Sequence, residues 1–216
     1  MTTTVKEDPP RGTTGAVVHR AAQYDLLIWL LTFGRERQFR ERLLEPARLQ
    51  VGESVLDVGC GTGTLAIAAK RRVGQTGAVW GLDASAPMIA RATTKAQKAG
   101  VAVTFETGVA ESLPFENERF DVVLCTVMLH HLPRAAREKG IREMRRVLKP
   151  GGRLLVVDFA GASRTGRGPR LHFHRHGHVQ PGALVELVSG GGLQVVESGA
   201  VGRWDLYFVI GQNATR

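Results

Sequence analysis

VLDVGCGTG, residues 55–63, is the stretch that decides the fold of this chain. A short apolar strand over Ser54–Val58 runs straight into three alternating glycines, and a helix over Leu65–Arg72 follows. Glycine permits a tight turn and lets a ligand approach the backbone closely, while the helix start offers N–H groups and a partial positive charge. The stretch therefore predicts a strand–turn–helix unit that binds a ligand at its turn.

Strands and helices alternate on both sides of this unit. Further strands are predicted at 78–82, 101–105, 120–124, 153–159, 193–198 and 203–210, and further helices at 85–98, 133–148 and 181–188. Alternation of this kind predicts a parallel sheet covered on both faces, and two consecutive strands at the end predict a hairpin. The predicted fold class is α/β: a Rossmann-like, doubly wound, mostly parallel seven-stranded sheet with an antiparallel last strand and helices on both faces.

The remaining stretches define the domain organisation. The length of 216 residues suits one α/β domain with a full core and is too short for two. Residues 1–15 are predicted to be a disordered tail, and 16–216 a single domain. Its predicted parts are N-terminal cap helices (16–45), a ligand-binding core (50–160), an Arg/His-rich insertion (160–180) and a C-terminal helix with strands (181–216).

An acid at the end of the second predicted strand restricts the class of ligand that the loop can bind. Asp83 follows Gly63 by twenty residues, where a carboxylate accepts hydrogen bonds from both ribose hydroxyls of an adenosine. The loop reads GxGxG, and Thr64 stands where a dinucleotide fingerprint has its third small residue, which disfavours NAD. The alternative to a binding loop is a purely structural turn in which the glycines are incidental. The joint spacing of the loop, Asp57 and Asp83 argues against this alternative.

Four motifs occur together in one order, and they resemble those of the class I S-adenosylmethionine-dependent methyltransferases. The resemblance covers about residues 50–160 and rests on VLDVGCGTG (55–63), GLDASAPMIARA (81–92), ESLPFENERFDVVLC (111–125) and RVLKPGGRLLVVDF (146–159). It implies S-adenosylmethionine as cofactor and methyl transfer by in-line displacement. A non-catalytic cofactor-binding homologue and an NAD-dependent oxidoreductase are the weaker alternatives.

The resemblance also implies roles for single residues. Those implied to hold the methionine part of the cofactor are Asp57, Gly59, Cys60, Gly61, Thr62 and Gly63, with Cys125 lining the same end. Asp83 would bind the ribose, and the residues implied to lie near the adenine are Ala84, Met88, Ala110 and Glu111. Val109 departs from the family, which often has an acid there for the adenine amine. Either the affinity is lower, or Glu111 or a backbone group compensates.

Two segments point to different acceptors for the methyl group. AAQYDLL (21–27) and GGRLLVVDF (151–159) resemble the quinone-biosynthesis C-methyltransferases, whereas VMLHHLP (127–133) resembles the general small-molecule methyltransferases. The expected acceptor is therefore a small molecule, apolar or anionic, such as a quinone-like ring, a lipid head group or a secondary metabolite.

A general base is needed only when the acceptor must first lose a proton, as a phenol or an acidic carbon does. The candidates are His130 and His131, just beyond the fourth predicted strand at the edge where ligands bind, and Tyr24 from the N-terminal helix. The structural alternative has one histidine ring buried and hydrogen-bonded beside Pro133, and Tyr24 packed in the core. We favour the structural alternative for each.

The chain has a formal net charge of +9 with histidine counted as neutral, and it also carries a histidine-rich segment. His172, His174, His176 and His178 alternate, so an extended backbone would place them on one face, where they would bind a metal or an anion. Neighbouring arginines favour the anion, and no metal site is predicted. The basic run of helix 134–149 is interpreted as a solvated outer face; peripheral membrane contact is a weaker hypothesis.

Several other classes are disfavoured. Cys60 and Cys125 form no CxxC pair, which argues against a zinc motif or a disulfide framework and suits the cytoplasm. No signal peptide is recognisable, and the longest apolar run, Leu26–Leu31, is too short to span a bilayer. The positive charge keeps an RNA or other nucleic-acid methyltransferase as an alternative, but the motifs for exocyclic amines and pyrimidine carbons are missing. The sequence leaves the oligomeric state open.

Overall fold

The computed structural model describes residues 35–159, 180–202 and 205–215. Its strands are β1 (Ser54–Val58), β2 (Ala78–Asp83), β3 (Thr104–Thr107), β4 (Phe120–Thr126), β5 (Leu148–Phe159), β6 (Gln194–Val201) and β7 (Leu206–Gln212). Its α-helices are α1 (Glu36–Leu44), α2 (Thr64–Val73), α3 (Ala86–Ala99), α4 (Arg134–Val147) and α5 (Pro181–Gly190). Short 3₁₀ turns occupy Glu45–Ala47 and Leu129–His131.

The strands form one seven-stranded sheet in the order β3-β2-β1-β4-β5-β7-β6. Strands β1 to β5 pair in parallel, and β7 runs antiparallel to both of its neighbours, β5 and β6. The predicted α/β class, the seven strands and the antiparallel last strand are confirmed.

Side chains of the central strands alternate between two buried clusters because successive residues of a strand point to opposite faces. Leu56 and Val58 of β1 lie in a cluster with residues of α4 and α5. Val55 lies in the other cluster, with residues of α1 and α2. Helices therefore cover both faces, as predicted, and Asp57 shares the α1–α2 face with Val55.

The strand order changes direction at β1. From β1 the chain builds outward to β2 and β3 on one side, and then returns to place β4 and β5 on the other. A crevice forms outside the carboxyl ends of β1 and β4, and ligands of such sheets bind there. The glycine loop 59–63 and the turn Leu129–His131 both follow these strand ends.

The start of β5 differs from the prediction. A strand is predicted at 153–159, but it already begins at Leu148 and includes Pro150, Gly151 and Gly152. The register between β4 and β5 shifts between Phe120 and Val122, and Gly151 takes a φ of +76°. A pairing irregularity thus absorbs the Pro-Gly-Gly sequence without ending the strand.

The basic run of α4 is only partly a solvated face, which corrects that interpretation. Lys139, Arg142 and Arg145 are exposed, but Arg137 and Arg146 of α4 and Lys149 at the start of β5 bind protein groups. Arg137 donates to the Leu132 carbonyl over 2.7 Å, and Lys149 pairs with Asp121 over 2.8 Å. Arg146 donates to the carbonyls of Leu113 and Phe115. These cations satisfy loop groups beside α4.

Several predicted parts lie outside the described residues. These are the tail 1–15, the cap-helix region up to residue 34 and nearly all of the Arg/His-rich insertion. In the part of the chain that the structure covers, no helix combines the length and the apolar character needed to cross a membrane.

Candidate functional site

The glycine loop has the backbone shape that its sequence predicted. Gly59, Gly61 and Gly63 have φ angles of +74°, +52° and +76°, a region that L side chains rarely adopt. A Cβ atom on Gly63 would lie 2.7 Å from the Phe105 ring and 2.8 Å from the Ala92 Cβ. The amides of Gly59 and Cys60 donate to the carbonyl of Leu82, which ties the loop to the end of β2.

Asp83 lies against the middle of this loop. Its Oδ2 accepts the Gly61 N–H over 2.8 Å, and its Oδ1 accepts the Ser85 N–H over 2.9 Å. Burial raises the pKa of Asp83, and these two amide bonds act in the opposite direction. Because each carboxylate oxygen has a second lone-pair direction, Asp83 retains acceptor capacity for hydroxyl groups of a ligand.

Asp57 is a buried acid without a well-formed hydrogen bond. The residue is 1% exposed, and neither carboxylate oxygen makes a well-formed hydrogen bond among the described residues, although the Ala66 backbone N–H is near enough to act on its pKa. Burial raises the pKa of Asp57 to about 7; the Arg40 guanidinium lowers it and the Asp83 carboxylate raises it further. Buried carboxylates are normally hydrogen-bonded, so Asp57 is suited to receive a ligand's donor.

The other side of the crevice carries the residues expected near an adenine. Met88 in the first turn of α3 is 3% exposed, and Ala84 is half-buried just after Asp83. Ala110 and Glu111 are buried in the loop after β3. Val109 forms a single β-bridge with Ser112, which bends this loop back on itself.

Lys95 is a site residue that sequence reasoning missed. It lies on α3, and its Nζ donates to the hydroxyls of Thr62 over 2.9 Å and Thr64 over 3.1 Å. Thr62 belongs to the loop and Thr64 begins α2, so Lys95 joins the loop to α3. No local motif marks this lysine, because its partners lie more than 30 residues earlier in the chain.

Both cysteines are buried thiols. Burial is the main reason why the pKa values of Cys60 and Cys125 lie well above the ordinary range. Cys60 is 8% exposed within the glycine loop, whereas Cys125 is 0% exposed and shares a core cluster with Val58 and Leu129. The role of Cys125 at the methionine end of a cofactor stays a prediction.

The histidine pair follows β4. His130 is buried: its Nδ1 lies 2.7 Å from Asp158 Oδ1, and its backbone N–H donates to Asp158 Oδ2 over 3.0 Å. The buried, hydrogen-bonded ring matches the structural alternative. The His131 ring is half-buried, with its centroid 3.9 Å from that of His130. Since a carboxylate accepts from Nδ1–H, Asp158 leaves the basic lone pair of neutral His130 on Nε2.

Other candidates fall outside this geometry. Tyr24 and the four alternating histidines His172, His174, His176 and His178 lie outside the described residues. Across residues 35–159, 180–202 and 205–215, no three His, Cys, Asp or Glu side chains are grouped as metal ligands would be.

Comparisons with known proteins agree with this geometry. Residues 55–152 match the family model described as a methyltransferase domain. The ubiquinone/menaquinone biosynthesis C-methyltransferase of Laribacter hongkongensis is 36% identical over 158 residues, which cover 73% of this chain. The chain spans 64% of the length of that relative.

Two solved structures have the same fold. One is an S-adenosylmethionine-dependent methyltransferase from Aquifex aeolicus, with 23% identity, a TM-score of 0.66, and coverage of 80% of this chain and 88% of the other. Another is the [4+2]-cyclase SpnF, with 20% identity, a TM-score of 0.70, and coverage of 83% and 82%. By its motifs, its match over residues 55–152 and its sheet order, the chain contains a methyltransferase domain of the class I S-adenosylmethionine-dependent type.

Proposed function

We propose that this chain transfers a methyl group from S-adenosylmethionine to a small-molecule acceptor. The observation that carries the proposal is the arrangement of Asp83 and the glycine loop: a carboxylate hydrogen-bonded to the Gly61 amide, beside a loop whose three glycines take positive φ angles and carry no side chains. This combination suits a nucleoside ligand whose ribose hydroxyls bond to the carboxylate and whose remaining part packs closely against the loop backbone. The domain match and the 36% identity to a C-methyltransferase support the same activity.

The residues present fit the cofactor. Asp83 would accept the ribose hydroxyls, and the unsatisfied oxygens of Asp57 would accept the ammonium of the methionine part. Met88 and Ala110 would flank the adenine. The Glu111 side chain or the loop backbone would bond the adenine amine in place of the acidic residue that the family often has at position 109. The cofactor supplies an already activated methyl group on a sulfonium. The chain's task is then to orient the acceptor in line and to exclude water.

A quinone-like or phenolic ring is the acceptor class that we propose to test first. The named relatives act in ubiquinone and menaquinone biosynthesis, and the histidine pair follows β4 at the crevice. His131, or His130 oriented by Asp158, would accept the proton that an acidic ring carbon or a phenol must lose. A peripheral contact with an anionic membrane surface stays a prediction, as does a location in the cytoplasm.

Titration calorimetry of the full chain tests the cofactor assignment. S-Adenosylmethionine and S-adenosylhomocysteine are expected to bind saturably, whereas NADH is expected not to bind. Turnover is then measured as S-adenosylhomocysteine formed with phenolic, quinone-like and anionic lipid compounds. Binding of NADH alone would replace the proposal with an oxidoreductase. Cofactor binding without turnover on any acceptor would favour a non-catalytic homologue.

Asp83→Ala tests the ribose contact directly. Loss of two hydrogen bonds to a charged acceptor is expected to weaken cofactor binding about 100-fold or more. Asp121→Ala is a matched control, because Asp121 also accepts one backbone N–H and is half-buried, but it lies at the start of β4 on the opposite sheet edge. An unchanged cofactor dissociation constant for Asp83→Ala would remove the ribose assignment.

A further inference from the structure

One face of α3 lies against the glycine loop 59–63. Met88, Ala92 and Lys95 are spaced i, i+4 and i+7 along this helix, so they lie on the same face. Ala92 comes so close to the loop that a Cβ atom on Gly63 would lie 2.8 Å from its methyl group. Met88 is buried in the first turn of the helix, among the residues expected near an adenine. The face therefore extends from that side of the crevice to the loop.

Lys95 joins this face to the loop by hydrogen bonds. Its Nζ donates to the Thr62 hydroxyl over 2.9 Å and to the Thr64 hydroxyl over 3.1 Å. Thr62 is 2% exposed, and a buried hydroxyl needs a hydrogen-bond partner. Lys95 is itself half-buried, so these bonds are only partly open to competing water. Lys95 thus holds the side chains on either side of Gly63, where the loop joins α2.

The loop needs such contacts because its three glycines leave the backbone many conformations. The first half of the loop is bound to the end of β2, where the Leu82 carbonyl and the Asp83 carboxylate accept its amides. The second half is bound to α3 through Lys95. A loop that is held at both ends loses less conformational freedom when it binds a ligand.

The position of the ammonium does not serve the stability of α2. This helix begins at Thr64, and the N-terminus of a helix carries a partial positive charge. A lysine ammonium beside this end is repelled by the helix dipole, so the hydrogen bonds to the two hydroxyls must offset the repulsion. What these bonds fix is the geometry between the loop and α3.

We propose that Lys95 is a positioning residue for the cofactor: by holding the hydroxyls of Thr62 and Thr64, it keeps the glycine loop in the shape that binds the ligand. This inference rests on the proposed function, since it concerns the same loop. Lys95 acts through the two threonines and need not touch the cofactor. Its loss should therefore weaken cofactor binding in a chain that is still folded.

A double-mutant cycle on cofactor affinity tests this role. S-Adenosylmethionine is titrated by calorimetry into the wild-type chain, Lys95→Met, Thr62→Val and the double variant, at a temperature at which circular dichroism shows all four to be folded. Each single change is expected to weaken binding about 5- to 20-fold, the range of one hydrogen bond from a charged donor. The double variant should bind about as weakly as Lys95→Met alone, because both changes remove the same bond.

Lys98→Met is the matched control, because Lys98 lies one turn later on α3 and is exposed. It should keep the wild-type affinity, and Lys95→Arg, which keeps donors at this position, should recover part of the affinity that Lys95→Met loses. Urea denaturation of each variant measures stability separately from binding.

Three results would overturn the inference. The first is a Lys95→Met chain that is less stable but binds the cofactor as the wild type does, since Lys95 would then have only a structural role. The second is an additive loss in the double variant, and the third is an equal loss in Lys98→Met. Failure of the wild type to bind S-adenosylmethionine would instead overturn the proposed function.

Discussion

Asp57 makes the stability of the ligand-free protein depend on pH. Its folded-state pKa is about 7 against an ordinary value of 3.8, so the folded chain holds this proton more tightly than the unfolded chain does. The stability contribution of Asp57 therefore falls as pH rises between about 4 and 7, by an amount on the order of 4 kcal/mol.

Asp57→Asn removes this titration. Relative to the wild type, the variant should gain free energy of unfolding as the pH is raised from 4.5 to 8, because asparagine cannot ionise. Urea denaturation of both proteins at several pH values measures the difference. A constant difference across this range would show that Asp57 titrates near its ordinary value in the folded chain.

His131 and His130 should respond differently to replacement by alanine. His131→Ala is expected to slow turnover and leave cofactor affinity unchanged, if the acceptor must lose a proton. His130→Ala leaves the buried Asp158 carboxylate without one partner and should cost about 3 kcal/mol of unfolding free energy. Turnover measured from pH 6 to 9 tests the catalytic role of His131, and urea denaturation tests the structural role of His130. A wild-type rate for His131→Ala throughout would assign that residue a structural role.

At the scale of elements, Arg146 connects α4 to the loop before β4. One terminal nitrogen donates to the Phe115 carbonyl over 2.7 Å and the other to the Leu113 carbonyl over 3.0 Å. Glu143 bonds the same guanidinium and also accepts the Leu113 N–H over 2.9 Å. The guanidinium lowers the pKa of Glu143, so this carboxylate stays ionised well into the acidic range.

Arg146→Ala should therefore lower the free energy of unfolding by about 2–4 kcal/mol, because two loop carbonyls and a carboxylate lose their hydrogen-bond donor. Arg142→Ala is the matched control, because Arg142 lies on the same helix and is exposed. That change should stay within about 0.5 kcal/mol of the wild type. Equal effects of the two changes in urea denaturation would mean that the Arg146 bonds contribute no net stability.

The sequence predicted the elements whose formation depends on local pattern. Apolar runs bounded by glycine or charge located β1 and β4, and the three alternating glycines located the loop between β1 and α2. The early start of β5 was not predictable, because Leu148 pairs with Phe120 only through an irregular register. The hydrogen bonds that Arg146 makes to the neighbouring loop were not predictable either, because helical periodicity does not distinguish one cation on the polar face from another.

The candidate site was predictable to the same extent. The spacing from Gly63 to Asp83 brought the carboxylate to the loop, as the Gly61 hydrogen bond now shows. Lys95 was missed because it reaches the loop by helix packing and lies in no motif.

For the molecule as a whole, the two cysteines should report global unfolding. Both thiols are buried and have raised pKa values, so they are expected to be unreactive toward a disulfide reagent at pH 8 while the chain is folded. Their labelling rate should rise with urea in parallel with unfolding. Rapid labelling of one thiol in the absence of urea would reveal local opening, and Cys60→Ala would identify which thiol is responsible.

The position of β7 has a consequence for the order in which the protein is made. Residues 206–212 insert between β5 and β6, although β5 ends nearly fifty residues before them. A ribosome releases β1 to β5 first, and the hydrogen-bonding edge of β5 then waits for a partner that has not yet been synthesised. Until that partner emerges, the nascent chain offers this edge to other chains, so translation speed over the codons for residues 160–212 should influence how much protein escapes aggregation.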